Sequence, residues 1–191
     1  MRLVIGADAA VAAWVAARIP QMTGAADFGP CVALGVVAED GQPLGGVVFH
    51  NYQARFRGIE ASFASSTPRW LTRRLISDIL AYPFEQLDCL RVTAVTPRKA
   101  ASARRFLDTF GFKREGLVRL GFGNDDAVVS GLLRREWARS RWNVRSKRPE
   151  DPQHAHGQKR THTPAGSRSQ RGRGGPDPIE PADGALPVAA E

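Results

Sequence analysis

Cysteine occurs twice in 191 residues, at Cys31 and Cys89, too few for a disulfide framework. Each sits in an apolar run, CVALGVV and CLRVTAV, and both are expected as buried, reduced thiols. A zinc site is not expected. No run of ~18 apolar residues occurs, so no transmembrane helix is expected. The N-terminal MRLVIGADAAVAAWVAARIP does not read as a secretory leader. Asp8 interrupts its apolar run, and Arg18 stands where a cleavage site needs small neutral residues. The expected location is cytoplasmic. Acidic residues are outnumbered, with Asp+Glu 19 against Lys+Arg 27 for a formal charge of +8 and a pI near 10.5. That balance favours phosphate-bearing or otherwise acidic partners.

Large apolar residues are scarce from position 139 onward, where Pro, Gly, Ser, Gln and charge dominate. Such a segment cannot offset its own chain entropy, so 139–191 is expected as a disordered low-complexity tail after a folded domain, 1–138. Its charge is segregated: 139–173 holds 10 basic and 2 acidic residues, and 174–191 holds 4 acidic and no basic ones. His154, His156 and His162 lie in this tract without accompanying cysteines and read as solvated, not as metal ligands. RSQRGRGG is a short Arg-Gly segment without interleaved aromatics, a weak nucleic-acid signal.

The body alternates periods. Leu3–Ile5 reads as a strand, followed by an amphipathic helix that Asp8 caps and Pro20 ends. CVALGVVAEDGQPLGGVVFHNY reads as a hairpin about Asp40-Gly41. Gly58–Ser65 is a further strand. Thr67-Pro68 opens a helix whose Leu71, Leu75, Ile76, Ile79 and Leu80 recur at helical spacing. Leu90–Val95 is a buried strand and Arg98–Phe110 a basic helix stopped by Gly111. Phe112–Phe122 and Asp126–Arg134 close the body as strands, with Trp137 at the end of the last one and Trp14 in the core. The order predicts an α/β domain, a mixed sheet with helices packed on it.

That order, together with ASARRFLDTFGFKREGLVRLGF and DAVVSGLLRREW, resembles the GNAT superfamily of acyl-CoA-dependent N-acetyltransferases. Glu115-Gly116 and Glu136-Trp137 beside the Gly-Phe stop make the C-terminal half most similar to the ribosomal-protein N-terminal acetyltransferase branch. The resemblance implies a mostly antiparallel sheet, helices on both faces, and a V-shaped splay between the fourth and fifth strands. Acetyl-CoA would enter that splay as cosubstrate, and an amine acceptor would attack it directly. The resemblance places the pyrophosphate on the turn Thr67–Arg74, where free helix N–H groups make an anion site. The family's glycines are absent there, with Trp70 and Thr72 in their place, so Arg69, Arg73 and Arg74 and the amides from Leu71 are expected to hold the phosphates. The family's pantetheine-contacting Asn falls on Ala100 and its thiolate-protonating Tyr on Leu107. Ser102 is then the nearest polar side chain for the arm, with a solvent-facing helix serine as the alternative.

For catalysis, Glu60 stands where several family members carry a base, with a solvent-facing carboxylate as the alternative. His50 and Tyr52 in FHNY are candidates for the acceptor side, against a structural histidine. Ala64 offers a backbone N–H to polarise the thioester, and Ser65 offers a hydroxyl to an acceptor or a helix cap. The competing reading is a nucleic-acid-associated protein on the same scaffold, modifying nucleic acid or aminoacyl-tRNA or binding without catalysis. No membrane partner is expected, and the oligomeric readings include a dimer.

Overall fold

Asp40-Gly41 does turn the chain. Gly41 takes φ 86° and Gln42 N–H donates to Asp40 Oδ1 at 3.0 Å, between β2 (Cys31–Val37) and β3 (Pro43–Gln53). The computed structural model describes residues 1–144. Its other strands are β1 (Arg2–Val4), β4 (Gly58–Ser65), β5 (Arg91–Pro97), β6 (Lys113–Val118) and β7 (Ala127–Leu133). Its helices are α1 (Asp8–Ala16), α2 (Arg73–Ala81), α3 (Ala101–Thr109) and α4 (Arg134–Arg139). All seven strands form one sheet in the order β1-β2-β3-β4-β5-β7-β6. Every neighbouring pair is antiparallel except β4 and β5, which run parallel.

Strand alternation divides the core into two layers. On one face Val47, Phe49, Ile59, Ala61, Val92 and Ala94 pack under α2 and α3. On the other, Ala33 and Val48 pack under Ala12, Val15 and Ala16 of α1 and under Phe28. Helices therefore cover both faces, as expected. Val11 and Val15 crowd Gly46, where any Cβ would meet them, so glycine lets α1 lie close on β3.

The Gly-Phe stop forms a Schellman motif. Gly111 takes φ 92°, its N–H reaches Asp108 O at 3.1 Å, and Phe112 N–H reaches Leu107 O at 3.1 Å. Phe112 then turns inward under Phe63.

Several boundaries differ from the sequence expectation. Asp8 does not cap α1. It is the first helical residue, and its Oδ1 accepts instead from Ala33 N–H at 2.6 Å, satisfying a donor of β2 beyond the end of short β1. α1 stops at Ala16, four residues before Pro20. Thr67-Pro68 does not open α2 either. The cap is Thr72, whose Oγ1 accepts from Leu75 N–H at 3.2 Å. β6 ends at Val118 because Leu120, with φ 54°, turns the chain before β7. Trp137 sits on α4, not on the last strand. Glu136 accepts from Leu133 N–H at 3.2 Å and nucleates that helix, turning Trp137 onto Phe84 with ring centroids 6.2 Å apart. Cys89 is buried, but Cys31 is only partly so.

Residues 139–144, given to the tail by composition, return to the body. Trp142 packs on Phe110 at 4.9 Å and donates to Thr109 O at 2.8 Å, and Val144 N–H donates to Ser77 Oγ at 3.2 Å. The tail beyond Val144, with His154, His156, His162 and the Arg-Gly segment, lies outside the described residues. Among the described residues no helix is long and apolar enough to cross a membrane.

Candidate active site

The parallel pair β4–β5 is short. Gly58, Ile59 and Glu60 pair with Arg91, Val92 and Thr93, and beyond them β4 runs to Ser65 and β5 to Pro97 without pairing to each other. The two strands open as a V, and a cavity of about 1530 Å³ fills the opening. Ser62, Phe63 and Ala64 line it from β4, and Ala94, Val95 and Thr96 from β5.

Of the expected site residues, the cavity brings together His50, Glu60, Ala64, Ser65, Trp70 and Ser102. Tyr52 is not in its lining and is 46% exposed near the end of β3. Arg69, Leu71, Thr72, Arg73 and Arg74 are also outside the lining, which follows the turn through Thr67, Pro68 and Trp70. Trp70 is 1% exposed. It stacks on Phe106 and lies against Gly45, where a side chain would collide with its ring. Its bulk belongs to the core, so the turn that carries glycine in the family is here an anchored aromatic.

The start of α2 keeps features of an anion site. The N–H groups of Arg73 and Arg74 precede the first intrahelical bond, Ile76 N–H to Thr72 O, and take no acceptor among the described residues. Arg74 is held loosely by Asp78 at 3.9 Å, and the Arg73 guanidinium lies 6.0 Å over the Trp142 ring.

On the α1 face the sheet presents polar side chains to the cavity. His50 pairs opposite Glu60 in the β3–β4 register, and Ser62 follows two residues along β4 on the same face. His50 Nε2 and Ser62 Oγ are 2.9 Å apart. Glu60 Oε1 accepts from Asn51 Nδ2 at 2.6 Å, because Asn51, with φ 49°, sits where the β3–β4 register breaks and swings its amide onto β4. Burial pushes the His50 imidazole below its ordinary value of 6.5, with the Glu60 carboxylate partly opposing the shift. The Phe28 ring lies 5.2 Å from the imidazole.

Sequence reasoning passed over Ser62, Thr96, Arg18 and Lys99, all in the lining. Ser62 alternates with Glu60 and was legible by period alone. Arg18 and Lys99 sit outside any motif, and only the fold brings them to the cavity. Thr96 Oγ1 is buried with no hydrogen-bond partner among the described residues.

A scan against protein-family models and a search of curated proteins found no match. Solved structures are similar in fold. A probable acetyltransferase aligns at 23% identity and TM-score 0.51, over 59% of this chain and 69% of its own. Mutant forms of the spermidine/spermine N-acetyltransferase SpeG from Vibrio cholerae align at 18% identity and TM-score 0.51, over 56% and 69%. A dodecameric spermidine N-acetyltransferase from the same organism aligns at 18% and 0.51, over 58% and 69%. With its seven-stranded mixed sheet, one splayed parallel pair and helices on both faces, this chain shares the fold of these acetyltransferase structures.

Proposed function

We propose that the protein is an N-acetyltransferase that moves an acetyl group from acetyl-CoA to an amine by direct attack. The observation that carries the reading is the opening of β4 from β5 immediately after Glu60 and Thr93, with the cavity between them. Two features of the residues suit an acyl-CoA. Backbone groups of β4 beyond Glu60 face the gap without a β5 partner, as a thioester and a pantetheine arm require. The orphaned Thr96 hydroxyl, which costs about 1–3 kcal/mol unsatisfied, lies at the same gap. Ala100, Ser102 and Ala103 keep the α3 side of the cavity narrow in side-chain bulk.

Bound there, acetyl-CoA supplies the activated acyl group, and the chain supplies placement, which accounts for much of the rate in such transfers. The Ala64 N–H is the proposed polariser of the thioester oxygen, and Ser65 and Ser102 flank the arm. Arg73 and Arg74, with their N–H groups, take the phosphates, and Arg69 adds charge beside them. Glu60 presents negative charge at the acceptor end and draws a cationic amine. Of the matched structures the named ones act on spermidine or spermine; an extended polyamine and a protein amino terminus, as in the ribosomal-protein branch, are both acceptors of this chemistry. Incubating the protein with acetyl-CoA and each acceptor, and measuring released thiol, tests the reading. Release above the rate with acetyl-CoA alone is expected, and none with either acceptor counts against it.

A second reading rests on charge. Residues 145–173 carry 8 basic and 2 acidic side chains, a local +6 that suits a polyanion. A nucleic-acid-associated acceptor follows if truncation after Val144 weakens RNA or DNA binding and flattens its salt dependence. Equal binding by both forms leaves the tail out of acceptor recognition.

A further inference from the structure

We propose that Ser62 and His50 act as one proton-accepting unit, Ser62 Oγ touching the acceptor amine and His50 Nε2 receiving the proton. The proposal rests on the acetyltransferase reading above and deepens it. Ser62 stands two residues past Glu60, the last β4 residue paired to β5, and lines the cavity at the mouth of the V, where an amine would meet the thioester. His50 is its diagonal neighbour on β3, and the 2.9 Å contact between Nε2 and Oγ is the reach of a hydrogen bond. A nucleophile-side hydroxyl within hydrogen-bond distance of an imidazole is the arrangement by which proteins move a proton off a weak acid.

Glu60, the expected base, is engaged elsewhere, since its Oε1 receives Asn51 Nδ2 at 2.6 Å. His50 Nε2 faces Ser62 Oγ, and the tautomer decides which of the two donates. Burial keeps its ring neutral near neutral pH, and in the tautomer protonated on Nδ1 its Nε2 takes the Ser62 hydroxyl proton. The groups around the ring are Glu60 and Ser62 from β4, Cys31 opposite it on β2, and the Phe28 ring from the segment after α1. Arg18 and Asp27 line the same cavity, Arg18 lying over Trp14 and Asp27 tied to Thr23. Burial pushes the Cys31 thiol up, so it stays uncharged, and Glu60 is the charge that raises the affinity of His50 for a proton.

The step balances. As the amine nitrogen bonds to the acyl carbon and the carbon–sulfur bond breaks, the nitrogen gives one proton to Ser62 Oγ and Ser62 gives its own to His50 Nε2. The imidazolium then returns that proton to the departing thiolate, leaving amide, CoA thiol and a neutral His50.

The test has two arms. Nitrogen-15 NMR of the free full-length protein, with His50 assigned by its loss in His50→Gln, reads the tautomer without any acceptor. A bare Nε2 that shifts in Ser62→Ala is expected, and a protonated Nε2 donating to Ser62 at neutral pH overturns the proposal. In the second arm, turnover is followed with acetyl-CoA and spermidine, and with acetyl-CoA and a peptide bearing a free amino terminus. Ser62→Ala and His50→Gln should each lose roughly 10²-fold or more in kcat with the acetyl-CoA KM unchanged. Ser62→Thr should recover most of the rate, and His50→Gln should lose the fall in rate toward acid pH. Wild-type kcat in Ser62→Ala overturns the proton route while leaving the acetyltransferase reading intact. Failure of the wild-type protein to bind acetyl-CoA overturns both.

Discussion

Trp70 lies nearly parallel to Phe106, ring centroids 6.1 Å apart and planes at 12°, and so clamps the turn before α2 to α3 across the end of the cavity. A small residue at this position leaves β3 uncovered at Gly45, against which the indole rests. Trp70→Ala is therefore expected to cost about 3–5 kcal/mol of stability, the range for truncating a buried aromatic. Urea denaturation measures it, and Trp70→Gly should destabilise at least as much, with no gain in cofactor affinity.

Arg73 and Arg74 begin α2 with unaccepted N–H groups and exposed guanidinium groups. The double substitution Arg73→Ala, Arg74→Ala should weaken acetyl-CoA binding by a few kcal/mol, since charge-assisted bonds contribute about 1.5–3 kcal/mol each. Calorimetric titration checks the affinity, and the melting temperature should stay close to that of the parent.

Glu60→Gln separates charge from base. Turnover should fall because a cationic acceptor loses its counter-charge, while acetyl-CoA affinity is unchanged. The Glu60 carboxylate raises the His50 value, so removing it lowers that value and moves the acid limb of the rate profile to lower pH. A limb that vanishes in Glu60→Gln would instead make Glu60 the base.

Glu136 and Asp126 set an acid limit on stability. The Lys113 ammonium, 2.6 Å away, and the Leu133 N–H hold Glu136 below its ordinary 4.5. Leu120 N–H and Arg98 hold Asp126 below 3.8. Both folded values are depressed, so their contribution is full above the unfolded values and is lost as pH falls through the folded ones. Urea midpoints should drop from about pH 5 downward. Lys113→Ala should lower stability above that window and make the acid loss shallower.

Much of the fold was legible because it rests on period and turn chemistry. Gly41 and Gly111 each take a positive φ that suits glycine at a turn, and the strands beside them pair as their alternation implies. The beginnings of helices were less legible. Thr67-Pro68 and Thr72 both offer a capping hydroxyl, and the choice falls to Thr72 because Trp70 must reach Phe106 before the helix starts. Asp8 fits a cap in sequence, yet the open donor of Ala33 claims its carboxylate. The same limit applies to the site. His50, Glu60 and Ser102 were visible along strands and a helix, whereas the His50–Ser62 contact depends on a cross-strand register no single strand encodes. Trp142 looked like tail by composition, and only its packing on Phe110 assigns it to the body.

Isothermal titration of the full-length protein with acetyl-CoA tests most directly whether the β4–β5 opening is an acyl-CoA cleft. Saturable binding at one site per chain is predicted, weakened by Arg73→Ala with Arg74→Ala and preserved in Ser62→Ala. No heat of binding at millimolar acetyl-CoA would contradict it and leave the fold as a scaffold for another purpose.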